Sequence, residues 1–379
     1  MSVYNDIRTP AFVLEEDKLR KNLSLINAVQ VEAGVTIILA LKAFAMWRVF
    51  PIVGEYLSGA TASSLHEARL IVEEMGTKAH TYCVAYRPND FDELLKYSSH
   101  LTFNSVQQFE QYKTRVQDYE VPISCGIRVN PEYSEVDTDL YNPAARGSRL
   151  GVTEEAFEDG LPAGVEGLHF HTLCESTSYE LEKTLAVFEE KFGQWLPQLK
   201  WVNLGGGHLM TREDYDRMHL IQLLKNFKTR YPNLEVILEP GSAIAWQTGP
   251  LVTTVLDIVE NRGVRTAIID ASFTAHMPDT LEMPYRPTIR GMLDLKVEQV
   301  TYQIGGVSCL AGDYKKPYAF EHALKIGDRL IFEDMIHYTM VKTTFFNGVQ
   351  HPDICLLRSD GELEVVRRFE YEDFRGRLG

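Results

Sequence analysis

Four polar residues, Lys42, Arg128, His171 and Glu239, end runs of apolar residues, and each is of a type that does chemistry when shielded from water. Lys42 follows Val35-Thr36-Ile37-Ile38-Leu39-Ala40-Leu41, which is aliphatic without alternation, the pattern of a strand covered on both faces. A lysine amine projecting from such a strand into a pocket loses hydration, its pKa falls, and it can form a Schiff base with an aldehyde. Leu238-Glu239-Pro240-Gly241 ends another buried run in a carboxylate, which is costly to bury unless paired. A protonated pyridine nitrogen is a suitable partner, and that pairing makes the ring an electron sink. The turn Gly205-Gly206-Gly207 lets backbone N–H groups approach a phosphate, although it lacks GxGxxG spacing and also serves as a plain turn. His171 could stack on such a ring. Taken singly, each has an ordinary reading: a solvated lysine, a satisfied histidine, a paired acid.

What could bring them together is the order of elements. Strand-like runs are VTIILALK ending at Lys42, YLSGATASS near Ser63, HTYCVA near Ala85 and HLTFNS with Asn104 near its end. VPISCGIRVN near Arg128, GVEGLHFHT near His171, LKWVNLGGG near Gly207 and EVILEPGS near Ser242 continue the series. Between them SLHEARLIVEEMG, SVQQFEQYKTRV, SYELEKTLAVFEEKFGQWL and REDYDRMHLIQLLKNFKTRY carry apolar residues at helical spacing. Eight alternations in roughly 240 residues match a parallel (β/α)8 barrel of TIM type, whose sites form at the C-terminal ends of the strands. All the residues singled out would then share one rim. Beyond Ser242, segments such as LVTTVLDIVENR, VRTAIIDASF, LKVEQVTYQIGG, DRLIFED and DICLLRSDGELEVVRR are strand-rich with Gly, Pro and Asp turns. The expected organisation is an α/β barrel over 12–242 and an all-β domain over 243–379, joined by the N-terminal segment 1–11.

Composition narrows the class. The chain has 379 residues, 45% hydrophobic, enough for two sizeable cores. A net charge of −15 argues against a nucleic-acid surface and mildly favours cationic ligands, although it also serves solubility. Cys83, Cys125, Cys174, Cys309 and Cys355 show no CxxC spacing, so neither a disulfide framework nor a metal site is signalled. By residue type alone Cys309 reads as a buried structural thiol. MSVYNDIRTP has no signal-peptide layout and no apolar run approaches the length of a membrane span, so a cytoplasmic location and no membrane partner are expected.

The ordered set ALKAF, HFH, LGGG, EPG, GGVSCLAGD and FEDMIHYT resembles the ornithine/diaminopimelate decarboxylase group of pyridoxal-phosphate enzymes over essentially the whole chain. That group has an alanine-racemase-like barrel and a C-terminal β domain. TASSLHEARL, HFHTLCES and TAHMPDTLEMPYRP look most like its branch acting on carboxynorspermidine and carboxyspermidine in polyamine biosynthesis. The resemblance implies that Lys42 holds pyridoxal phosphate, His171 stacks on its ring, and Glu239 pairs with the pyridine nitrogen. It further implies that Gly206, Gly207, Gly241 and Tyr338 seat the phosphate, with Arg128 near the cofactor. Cys309 matches a cysteine that reaches the neighbouring subunit's site and reprotonates Cα after carbon dioxide leaves, which implies a head-to-tail homodimer with shared sites.

Departures bear on the substrate. Many relatives read EPGR where this chain has Ser242, so the serine hydroxyl could replace one phosphate contact. Ornithine and diaminopimelate decarboxylases carry an acid directly after the cysteine, where Leu310 stands here. A longer cationic, carboxylated polyamine would need acids elsewhere, and Glu175, Asp279, Glu282 and Asp313 are the candidates, each also readable as a solvated or structural acid. Arg286 matches an arginine that binds substrate carboxylate in diaminopimelate decarboxylase, and a structural ion pair is the other reading. Diaminopimelate is the alternative substrate; a racemase is disfavoured by Glu239, and a silent regulatory homologue by the presence of Lys42 and Cys309.

Overall fold

The computed structural model describes residues 3–136, 138–296 and 300–379. Residues 297–299, inside the expected strand segment LKVEQVTYQIGG, lie outside the described residues. Contacts divide the chain into two compact units, Lys21–Ile244, and the N-terminal residues to Arg20 with Ala245–Gly379.

The first unit is a parallel barrel. Its nine strand segments run in ring order from Thr36–Ile37 through Glu235–Leu238, Trp201–Asn203, Gly167–His169, Ser124–Arg128, Ser98–Phe103, Ala79–Tyr82 and Ala60–Ala62 to Leu39–Ala40. The first and last of these flank Ile38 and are halves of one strand, so the ring closes on itself. Ile38 N–H donates to the Leu238 carbonyl while Leu39 N–H donates to that of Gly59, one to each neighbour. Helices follow the strands because their starts are capped: Ser64 accepts from Glu67 N–H, Ser105 from Gln108 N–H, and Thr177 forms a capping box with Glu180. The helix expected from Arg212 begins at Arg217 instead, because the Asp216 carboxylate accepts His219 N–H and sets the cap there.

Trp201 fills the barrel interior between two strands that carry glycine. A Cβ on Gly126 or Gly167 would lie 2.3 or 2.1 Å from the indole. The indole N–H donates to Ser124 Oγ at 2.8 Å, so this large side chain is buried with its polar atom satisfied.

The second unit is a mixed sheet. Ala11–Glu15 pairs parallel with Asp353–Leu357 and antiparallel with Leu251–Asn261, which also pairs with Val264–Ile269 and Arg329–Phe332. Tyr4, Ile7, Ala11, Val13, Val252 and Cys355 form a core cluster within it. The strand-rich reading is met, but Phe273–His276, Asp279–Glu282 and Tyr371–Leu378 are helical. Ser272 caps the first of these by accepting Ala275 N–H, a local signal that the β-rich texture obscured. Among the described residues, no helix is long and apolar enough to cross a membrane.

Candidate active site

The C-terminal rim of the barrel holds an open pocket of about 210 Å³ lined by Lys42, Thr61, Ser63, Tyr82, Val84, Arg128, Leu150, His169, His171 and Glu239. Lys42, Arg128, His171 and Glu239 therefore meet as the strand ends require.

Lys42 Nζ lies 2.9 Å from His171 Nε2, and Gly206 N–H donates to His171 Nδ1 at 3.0 Å. Because Nδ1 is the acceptor, the neutral ring carries its proton on Nε2, which then donates to the lone pair of an uncharged Lys42. The amine faces the open pocket yet is walled by protein on its other sides. Burial lowers the Lys42 pKa and the Arg128 charge lowers it further, against the opposing pull of Glu239. Burial likewise holds His171 well below the ordinary imidazole range.

Glu239 is 8% exposed. Asn203 Nδ2 donates to Oε2 at 3.0 Å, and His169 Nε2 stands 3.0 Å from Oε1. Burial alone would raise the Glu239 pKa, but the neighbouring His169, His171 and Lys42 outweigh it and keep the group well below the usual carboxylate range. Burial lowers the His169 pKa, so the pair is a carboxylate beside a neutral imidazole.

Arg128 Nη2 donates to the His171 carbonyl at 2.9 Å, and its guanidinium lies 4.8 Å over the Tyr82 ring. The Tyr82 hydroxyl donates to Asn104 Oδ1 at 2.7 Å. Asn104 also accepts Gly151 N–H and donates to the Arg149 carbonyl, both at 2.8 Å, and so clamps the residues on either side of pocket-lining Leu150.

The glycines form a backbone cradle. A Cβ on Gly206 would lie 2.3 Å from the Glu239 carbonyl, one on Gly207 2.0 Å from the Leu173 carbonyl, and one on Gly241 2.4 Å from Ala43 Cβ. Gly207 also has φ of 90°, which side chains rarely tolerate. Ser242 follows Gly241 as the first residue of the short helix Ser242–Ala245. Glu175 is exposed in the loop after Gly167–His169, at φ 49°.

Six further candidates belong to the sheet unit. Cys309 is exposed, which overturns its reading as a buried structural thiol. Its N–H donates to Asn347 Oδ1 at 2.8 Å, and the loop around it leaves the side chain outside the core. Asp313 pins that loop from within: it is buried and accepts Thr274 N–H at 3.0 Å, Ser308 N–H at 3.1 Å and the Ser308 hydroxyl at 2.6 Å. Asp279 Oδ2 accepts the Tyr285 and Thr339 hydroxyls at 2.7 and 2.8 Å. Glu282 pairs with Lys342, and Arg286 donates to the Pro317 carbonyl while stacking 5.2 Å over Tyr318. Tyr338 has φ of 27°.

Sequence reasoning missed His169, Asn203, Tyr82 and Leu150. The first two had a signal, since each stands two residues before a residue already singled out, His171 and Gly205, and period two puts such pairs on one face of a strand.

Comparison with known proteins agrees with the geometry. The family model described as pyridoxal-dependent decarboxylase, C-terminal sheet domain, matches residues 3–336. Carboxyaminopropylagmatine decarboxylase of Synechocystis sp. is 51% identical over 99% of this chain and 96% of its own length. Carboxynorspermidine/carboxyspermidine decarboxylase of Campylobacter jejuni is 46% identical over 98% of each chain. The crystal structure of carboxynorspermidine decarboxylase complexed with norspermidine, from the same organism, superposes with a TM-score of 0.91 at 45% identity, covering 98% of this chain and 100% of that one.

Proposed function

Since the chain belongs to the ornithine/diaminopimelate/arginine family of pyridoxal-dependent decarboxylases, we propose that it removes the carboxylate of carboxynorspermidine, or of carboxyspermidine, to leave norspermidine or spermidine. The observation that carries this reading is a single pocket in which the uncharged Lys42 amine and the anionic Glu239 carboxylate lie close enough to influence each other's charge.

The residues present fit pyridoxal phosphate. The pocket opens to solvent at the strand ends, its lysine has a free lone pair, its carboxylate suits a pyridine N–H, and its glycines leave backbone bare for a phosphate. When bound, the cofactor supplies the electron sink that accepts the electrons released as carbon dioxide leaves. Lys42 would hold it through Nζ, His171 would face the ring, Glu239 would carry the ring N–H, and Gly206, Gly207, Gly241 and Ser242 would seat the phosphate beside Arg128. Cys309 Sγ would deliver the proton to Cα from a second copy of the chain, so the working unit is a homodimer. All five cysteines are free thiols, which supports a reducing, cytoplasmic setting.

A second reading has its own support. The Synechocystis relative, at 51% identity, is named for carboxyaminopropylagmatine, whose distal end is a guanidinium where the other substrates end in an ammonium. Diaminopimelate is disfavoured by Leu310, which puts a hydrophobe where that branch has an acid.

The test is the visible absorbance of the purified protein, then carbon dioxide release with carboxynorspermidine, carboxyspermidine, carboxyaminopropylagmatine, diaminopimelate and ornithine in parallel. We expect a cofactor band, lost in Lys42→Ala together with turnover, and activity on the carboxylated polyamines. Preference for carboxyaminopropylagmatine would move the substrate to the second reading. Turnover of diaminopimelate alone, or near-normal turnover in Lys42→Ala, would overturn the proposal.

A further inference from the structure

Below the open pocket, toward the N-terminal ends of the strands, lies a second, small cavity of about 10 Å³, room for about one water, whose wall includes His80, His100, Trp201 and Asn203. Thr61, Tyr82, His169 and Glu239 line both cavities, so they are the partition between them. The lower cavity is polar but offers no positive charge. Burial brings the His80 pKa down to about 3 and lowers those of His100 and His169, leaving three neutral imidazoles under Glu239. Arg128 and Lys42 both stand on the side of the open pocket.

Within the partition, His169 has a defined state. Both ring nitrogens are buried without a well-aligned hydrogen bond, and of the two Nε2 is the one within reach of an acceptor, 3.0 Å from Glu239 Oε1. A proton on Nε2 therefore faces a carboxylate, whereas a proton on Nδ1 faces no acceptor. Nε2 then faces Glu239 Oε1 across 3.0 Å, while Asn203 Nδ2 donates to Oε2 and Asn203 Oδ1 accepts Gly205 N–H at 2.8 Å. Each carboxylate oxygen thus has an anchored polar group beside it, His169 at a strand end by Oε1 and Asn203, tied to the glycine turn, donating to Oε2. A neutral carboxylic acid at Glu239 would have to turn its own O–H toward one of these donors, which has no acceptor to offer.

We propose that His169 and Asn203 are positioning residues that hold Glu239 as an anion open to the upper pocket, so that the shared proton resides on the pyridine nitrogen of the cofactor. This rests on the reading of the site as a pyridoxal-phosphate site. Neither residue touches the substrate. They act through Glu239, and their effect belongs to the ring nitrogen and to no other atom of the cofactor.

That confinement supplies the test. The full chain, stripped of cofactor, is titrated by fluorescence with pyridoxal phosphate and with its 1-deaza analogue, which has C–H in place of the ring nitrogen. His169→Ala is expected to weaken pyridoxal phosphate about tenfold, through loss of the polar contact to Glu239, while the 1-deaza analogue stays within about twofold. His169→Gln, which keeps an N–H donor, is expected to recover most of the loss and guards against a variant that merely folds poorly. A second readout needs no cofactor: long-range proton–nitrogen spectra of histidine-labelled chain are expected to show His169 neutral with its proton on Nε2 at pH 7. Equal weakening of both ligands, no weakening of either, or an imidazolium at His169 would overturn the inference. Failure of the unsubstituted chain to bind pyridoxal phosphate would instead overturn the cofactor reading beneath it.

Discussion

At the scale of single residues, the site is a set of protonation states imposed by neighbours. One backbone N–H, that of Gly206, fixes which nitrogen of His171 bears the proton, and that in turn leaves Lys42 as a neutral amine. Glu239 is held in the opposite sense, charged although buried, because Asn203 donates to one of its oxygens and its interactions with His169, His171 and Lys42 outweigh the penalty of burial. Its removal therefore tests electrostatics with little change of shape. Glu239→Gln keeps the volume but cannot stabilise a charged ring nitrogen. Turnover is expected to fall by roughly a hundredfold or more, the scale of losing a preorganised charge, while Lys42 still retains the cofactor and its visible absorbance. Carbon dioxide release measured alongside the spectrum separates the two, and an unchanged rate would remove Glu239 from the chemistry. Cys309 shows the other side of residue-scale reasoning. Its type suggested burial, its loop exposes it, and only the family resemblance anticipated a thiol that faces outward.

At the scale of elements, the barrel was legible because strands covered on both faces read as unbroken aliphatic runs and the helices between them are amphipathic. All eight strand positions and the four helices named from the sequence are present, and the strand ends deliver Lys42, Arg128, His171 and Glu239 to one pocket. What could not be read was pairing. That one strand breaks at Ile38 to serve both neighbours depends on barrel closure, and that Gly126 and Gly167 exist to admit Trp201 depends on which residues lie side by side across strands. Asn203 and His169 could have been placed on the right face by their spacing of two from Gly205 and His171, but their pairing with Glu239 shows only after folding. The Trp201 packing makes the cross-strand dependence measurable. Gly167→Ala would place a methyl 2.1 Å from the indole, so the ring or the strand would have to shift. Overpacking of this kind destabilises by about 1 to 3 kcal/mol. Urea denaturation is expected to show that loss, and Gly167→Ala combined with Trp201→Phe, which trims the ring, is expected to regain part of it. A double variant no more stable than Gly167→Ala would show that the glycine serves the strand backbone and not the indole.

At the scale of the whole molecule, the chain carries buried histidines in both units, and they make its stability depend on pH in one direction. Burial lowers His80 to about 3 and His208 to about 4 in the barrel unit, and His276 to about 3 in the sheet unit, from an ordinary value of 6.5. Between those values and 6.5 the unfolded chain takes up protons that the folded chain refuses, so stability rises with pH across that window and falls as acid is added. Each such histidine contributes a slope of about 1.4 kcal/mol per pH unit at most. Depressed carboxylates such as Glu239 add a further loss only below 4.5, where the unfolded chain begins to protonate them. The two sources therefore separate on the pH axis. His80 is the better one to remove, since it stacks on His100 at 3.8 Å and a planar amide can occupy the same space. In His80→Gln the slope of unfolding free energy against pH is expected to flatten by about one proton between pH 6.5 and 4.5, with the steeper loss below 4.5 retained. Three of the four tryptophans, Trp47, Trp195 and Trp201, lie in the barrel unit, so their fluorescence in urea titrations at stepped pH follows the unit that His80 belongs to. A slope identical to that of the unsubstituted chain would mean that His80 is already charged when folded, and the polar floor of the barrel would then carry a positive charge beneath Glu239.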